Sequence, residues 1–164
     1  MNETAYKKIM SFWESHEKLL FVAKTFHSLA VGAVYLAFPF LLVFTALNKD
    51  LFCIISFFIC SFSFVLLSLY RNKANAKRPS EVYGIPSAIK RDKKGKSFPS
   101  RHSFSAAVIS VCLFHISLPL GATFLTISII IATLRVILGL HFVKDAVAGL
   151  LIGTLCGIIA LIMG

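Results

Sequence analysis

RNKANAKRPSEVYGIPSAIKRDKKGKSFPSRH, running from Arg71 to His102, is a polar island in an otherwise greasy chain. It holds ten of the seventeen Lys and Arg residues, so the formal net charge of +10 is concentrated in loops and not spread over a surface. Apolar runs flank it on both sides, each long enough to cross a bilayer, which takes about 20 residues as a helix. With 164 residues the chain is one domain by length. At 57% hydrophobic and only 15% charged it is too apolar for a water-soluble globule. Basic loops at a membrane surface suit anionic headgroups or phosphorylated substrates. Nucleic acid, the other common partner of basic charge, does not fit a membrane-embedded chain.

Hydrophobic patterning on either side of the island predicts an all-α polytopic membrane bundle, a single domain over 1–164. About five transmembrane helices are expected, at 27–47, 51–70, 103–118, 120–138 and 146–163, with Pro39 kinking the first. Residues 1–24 mix Glu14, Glu17, Lys18 and Lys24 with Phe12, Trp13, Leu19 and Leu20. That mixture predicts a helix lying in the interface with Trp13 at headgroup level, because a crossing would submerge those charges. No cleavable signal peptide is expected from so charged an N-terminus. Cys53, Cys60, Cys112 and Cys156 all fall in apolar runs without CxxC spacing, which predicts buried free thiols and no zinc site. Gly149, Gly153 and Gly157 recur every four residues. Such a stripe serves either close packing against a neighbouring span of the same chain, the better supported use, or a homodimer.

A second polar cluster, RVILGLHFVKD from Arg135 to Asp145, follows two spans after the island. An even number of crossings returns the chain to the same face, so the two clusters are expected to meet. Within the island, Arg71 and Arg78 are seven apart, close to two helical turns, and would share a face if the preceding helix continued to Pro79. Two such forks can clamp a phosphate. Ser100 is a good helix N-cap, and the free N–H groups behind it suit an anion that His102 could reach. His141 and Asp145 are four apart, the spacing at which a carboxylate can fix an imidazole tautomer. Each piece alone has a plain reading: snorkelling arginines, a solvated histidine, charged loop punctuation.

Jointly they resemble the type-2 phosphatidic acid phosphatase family, which is similar to the vanadium haloperoxidases at the active site. The family's motifs K-x6-RP, PSGH and SR-x5-H-x3-D read here as Arg71-x6-Arg78-Pro79, Pro99-Ser100-Arg101-His102 and Leu134-Arg135-x5-His141-x3-Asp145. The resemblance spans roughly 50–163. Arg71 stands for the motif lysine, Arg101 for the glycine and Leu134 for the serine, departures that bear on substrate choice. The resemblance implies an integral membrane lipid phosphatase in which His141 is the nucleophile, Asp145 orients it and His102 protonates the leaving oxygen. Arg71, Arg78, Ser100, Arg101 and Arg135 would bind the substrate phosphate, with 71–102 as the active-site loop. It implies no metal and no cofactor, a lipid phosphate or pyrophosphate substrate, and a site on the extracytoplasmic face. The positive-inside rule argues the opposite sidedness, since Lys90, Arg91, Lys93, Lys94 and Lys96 share that face. The alternative function is a non-enzymatic protein that binds anionic lipid. A transporter would place polar residues in mid-span, and haloperoxidases are soluble.

Overall fold

The computed structural model describes residues 1–89 and 94–164, so Lys90, Arg91 and Lys93 lie outside the described residues. Seven α-helices account for it: α1 (Glu3–Ser15), α2 (Glu17–Leu47), α3 (Phe52–Ala74), the short α4 (Pro79–Tyr83), α5 (Arg101–Cys112), α6 (Leu118–Ile137) and α7 (Val143–Met163). The expected all-α membrane bundle is what the chain forms. Four stretches, Glu17–Leu47, Phe52–Tyr83, Leu118–Ile137 and Val143–Met163, are long and apolar enough to cross a membrane.

The expected third span is the departure. It is only 12 α-helical residues, continued by a 3-10 turn at Leu113–His115. It makes up for its length by position: Ser103 to Cys112 are all buried, ringed by α2, α3, α6 and α7. A helix walled by protein on every side does not need the length that a lipid-facing one does. Its Ser and Ala residues let neighbours approach closely. The segment still makes a fifth pass. Ser100 at its start hydrogen-bonds to α7's first turn, and His115 at its end stacks on Phe52 at the start of α3, with centroids 3.9 Å apart. Asp50 in the α2–α3 turn closes that end, its Oδ2 2.5 Å from His115 Nε2.

α5 and α7 run side by side in the same direction, in matched four-residue steps. A Cβ at Gly149 would lie 2.5 Å from the Ser100 carbonyl, one at Gly153 would strike the Phe104 carbonyl, and one at Gly157 would lie 2.5 Å from Val111 Cβ. The glycine stripe is therefore filled by α5 of the same chain, which removes it as a dimer face. The cysteines are free; Cys60 and Cys112 are buried with their sulfurs 3.9 Å apart, whereas Cys53 and Cys156, expected to be buried too, are only partly so.

The N-terminus also departs from expectation. The helix predicted over 1–24 breaks at His16, and residues from Glu17 onward join α2, which continues through Pro39 for 31 residues. At 1.5 Å per residue that is about 46 Å, more than the hydrocarbon core needs, so its charged first turns can stand clear of lipid. α1 is not a free interfacial raft. Tyr6, Met10 and Trp13 are buried against Leu138 and Leu140. Trp13 Nε1 donates to the Ile137 carbonyl at 2.7 Å, and the Tyr6 hydroxyl to those of Ile85 and Gly139 at 3.3 and 3.4 Å. Gly139 has φ +75°, and a Cβ there would lie 2.9 Å from that hydroxyl. α1 is thus a strut behind the loop that joins α6 to α7.

Candidate active site

The two polar clusters do meet at one end of the bundle. α3 ends at Ala74 because Asn75 adopts a left-handed cap (φ 40°), and α4 restarts at Pro79 with Arg78 as its N-cap. Arg71 and Arg78 therefore do not share a helical face, as continuation of α3 would have required. They converge because the chain folds back over them. Arg71 is buried, and its guanidinium donates to the carbonyls of Lys96, Ser97 and Pro99. Arg78, also buried, donates from Nε to the Gly95 carbonyl at 3.1 Å and from Nη1 to that of Leu140 at 2.9 Å. These two cations thus shape the 95–99 segment and tie it to the α6–α7 loop. Glu81 completes the tie, accepting from the N–H groups of Arg78 and Gly95.

Ser100 is the N-cap of α5, accepting from Ser103 Oγ at 3.0 Å, and its own N–H donates to the Asp145 carbonyl at 2.9 Å. His102 follows in the first turn, half-buried, its ring 6.4 Å from those of His27 and Tyr35. Arg101 points the other way. It is exposed, with its guanidinium 5.9 Å above the Phe64 ring on α3, apart from the buried cluster.

Arg135 closes α6 and is 1% exposed. Its Nη2 lies 3.3 Å from His141 Nε2 and its Nη1 3.5 Å from His27 Nε2. His141 stands in the loop before α7, held by its N–H to the Arg135 carbonyl. Asp145 is the third residue of α7, and its Oδ2 accepts the N–H of Phe142 at 3.2 Å. The expected direct bond between His141 and Asp145 is absent: Nδ1 and Oδ2 are 3.6 Å apart, too far for one. Ser97 Oγ lies between them, 2.5 Å from Asp145 Oδ2 and 3.3 Å from His141 Nδ1.

Burial is the main reason that the His141 imidazole is pulled down to about 3. Asp145 opposes that shift, while the nearby Arg135 and Arg78 charges reinforce it. A neutral imidazole carries one proton, and its place follows from its neighbours. Arg135 can only donate, so Nε2 must be the acceptor and Nδ1 the protonated nitrogen. The ring therefore turns its lone pair toward the arginine and its N–H toward Ser97. A neutral, desolvated imidazole with an available lone pair beside a guanidinium can attack an electrophile whose developing negative charge the arginine then receives.

Two residues here escaped the sequence reading. Ser97 lies two positions before Pro99 and looks like any loop serine. His27 heads an apolar span and carries no spacing signal toward Arg135. An apolar cavity of about 330 Å³ lies between α2, α3 and α5, lined by Tyr35, Phe38, Phe64, Phe104 and Val108 among others.

A sequence profile described as the PAP2 superfamily matches residues 73–164, which takes in Arg78, the Ser100–His102 turn and the Arg135–Asp145 segment and begins just after Arg71. LpxE of Aquifex aeolicus has a similar structure, with a TM-score of 0.75 at 26% identity over 98% of this chain and 94% of that one. A transmembrane PAP2-type phosphatidylglycerolphosphate phosphatase from Bacillus subtilis superposes with a TM-score of 0.71 at 19% identity, over 98% of this chain and 83% of that one. No curated protein sequence matches significantly.

Proposed function

The chain belongs to the PAP2 superfamily and is a multi-pass membrane lipid phosphatase, and from that premise we propose that it hydrolyses a lipid phosphate monoester or pyrophosphate through a phosphohistidine on His141. The observation that carries this reading is the 3.3 Å approach of Arg135 Nη2 to His141 Nε2, both side chains being buried. An entering phosphate offers Arg135 better acceptors than the imidazole nitrogen, which frees the lone pair for attack on phosphorus. The P–O bond to the lipid breaks as the N–P bond forms, and His102 gives its proton to the departing oxygen. Water then cleaves the N–P bond with His102 as base. Arg135 and the first-turn N–H groups of α5 stabilise the charge on the phosphoryl oxygens. Arg78 and Arg71 contribute positive potential and hold the 95–99 segment beside His141.

The candidate substrates are undecaprenyl pyrophosphate, phosphatidic acid and phosphatidylglycerol phosphate. The apolar cavity between α2, α3 and α5, whose lining residue Tyr35 lies 6.4 Å from the His102 ring, gives the substrate's hydrocarbon a place. Arg101, whose guanidinium lies over the lining residue Phe64, would tune which substrate is accepted. Motif arginines supply the positive charge that a metal supplies in other phosphoryl transfers.

The test is phosphate release by purified protein in detergent from these three lipids, with excess chelator present. At least one should be hydrolysed at an undiminished rate in chelator, and His141→Ala and His102→Ala should each abolish the release while the protein stays folded. Wild-type turnover by His141→Ala, or a rate that collapses in chelator and returns with magnesium, would refute the reading.

A further inference from the structure

Resting on the proposed nucleophilic role of His141, the geometry points to Ser97 as the positioning residue through which Asp145 acts on it, in an Asp145–Ser97–His141 relay and not a direct carboxylate–imidazole pair. Asp145 Oδ2 and His141 Nδ1 are 3.6 Å apart, whereas Ser97 Oγ reaches both, at 2.5 and 3.3 Å. All three side chains are 1% exposed or less, so no bulk water competes for the bridging place.

Proton counting fixes the direction of the relay. Ser97 has one hydroxyl proton and an ionised carboxylate has none, so the Ser97 hydroxyl donates to Asp145. Its oxygen can then only accept from His141, which requires the proton on Nδ1. The contact between Arg135 and Nε2 demands the same tautomer from the other side of the ring. When Nε2 bonds to phosphorus the imidazole becomes cationic. Its Nδ1–H remains on Ser97 Oγ, and the polarised hydroxyl passes the stabilisation to the Asp145 carboxylate. No proton moves along the relay: the N–P bond forms as the P–O bond breaks, and the one proton that changes place goes from His102 to the departing oxygen.

The backbone shows why a serine at this place can bear such a role. Ser97 N–H donates to the Ala76 carbonyl at 2.8 Å, and the Ser97 carbonyl accepts from Arg71 at 3.3 Å. Arg71 also holds the carbonyls of Lys96 and Pro99 on either side. The hydroxyl is thus fixed from both flanks, and Arg71 acts on the chemistry by fixing it.

The experiment is a double-mutant cycle on the full-length protein in detergent, assayed on whichever lipid phosphate it hydrolyses. Ser97→Ala should lower kcat about ten- to a hundred-fold, the range of a lost hydrogen bond to a charged group. KM should stay within about two-fold, because the group acts in the transition state and not in binding. Ser97→Thr, which keeps the hydroxyl, should recover most of kcat. Asp145→Asn should also be slow, and Ser97→Ala with Asp145→Asn no slower than the slower single variant, since a relay broken at one end is already broken. Losses that multiply in the double variant, or a Ser97→Ala effect on KM alone, would overturn the relay. If Ser97→Ala fails to give a cooperative melt, Ser97→Cys, close in size with a weak donor, should show the same loss of kcat. His141→Ala is run alongside: if inactive while the losses multiply, only the relay fails; if active, the nucleophile assignment itself fails.

Discussion

His141 is kept neutral by its surroundings, and that has a consequence for stability that can be measured. Its imidazole is pulled down to about 3 in the folded protein, against about 6.5 in an unfolded chain. A group with a depressed folded value binds its proton more readily when unfolded, so stability is full above about pH 6.5 and falls as pH drops toward 3. His141→Gln removes that group, and its melting temperature should decline less than the wild type's between pH 6.5 and 4. Parallel declines would show that His141 is already protonated when folded. At this scale the sequence was informative about residue types and silent about contacts. Spacing nominated His141, Asp145, His102 and the arginines, and all but Arg101 come together at one end of the bundle. It could not show that Arg71 and Arg78 turn their forks onto backbone carbonyls. Nor could it show that Ser97 stands between acid and base, because both outcomes depend on how 95–99 folds back over α3's end.

Among the elements, α5 carries the most structure per residue. It is short, buried throughout Ser103 to Cys112, and delivers Ser100 and His102 to the site while packing into the α7 glycines. Gly153→Val puts branched carbon against the Phe104 carbonyl and should cost about 1–3 kcal/mol, the usual range for overpacking. The check is the melting temperature of the detergent-solubilised protein beside its mass by size-exclusion light scattering. A fall in melting temperature at constant mass is expected. Halved mass with unchanged melting would return the stripe to a dimer. Periodicity located the apolar runs well, because hydropathy is local. It misjudged α5's length and the 1–24 boundary because both are tertiary matters. α5 can be short only because other helices surround it, and α1 is buried only because Leu138 and Leu140 lie behind it.

For the whole molecule, sidedness sets two forces against each other. Among the described residues, α1, the two polar clusters and Lys144 place most of the basic charge at the site end, while the opposite turn offers Lys49. The positive-inside rule would put that end in the cytoplasm. Arg71, Arg78 and Arg135, however, are buried in the site and do not act as free loop charge. Family resemblance favours the extracytoplasmic face, and we expect a single cysteine at the exposed Lys94, in a background lacking the four native ones, to react with a membrane-impermeant maleimide on intact cells. Labelling only after lysis would place the site inside. The central claim, that this bundle brings His141 to a lipid phosphate as a nucleophile, is tested most directly by trapping. The protein is mixed with a phosphate-labelled lipid substrate, quenched in alkali within one turnover, digested and mapped. The account predicts an acid-labile, alkali-stable label on the peptide carrying His141, and no label in His141→Ala. Label on another residue, or turnover with no labelled enzyme at any time point, would contradict it.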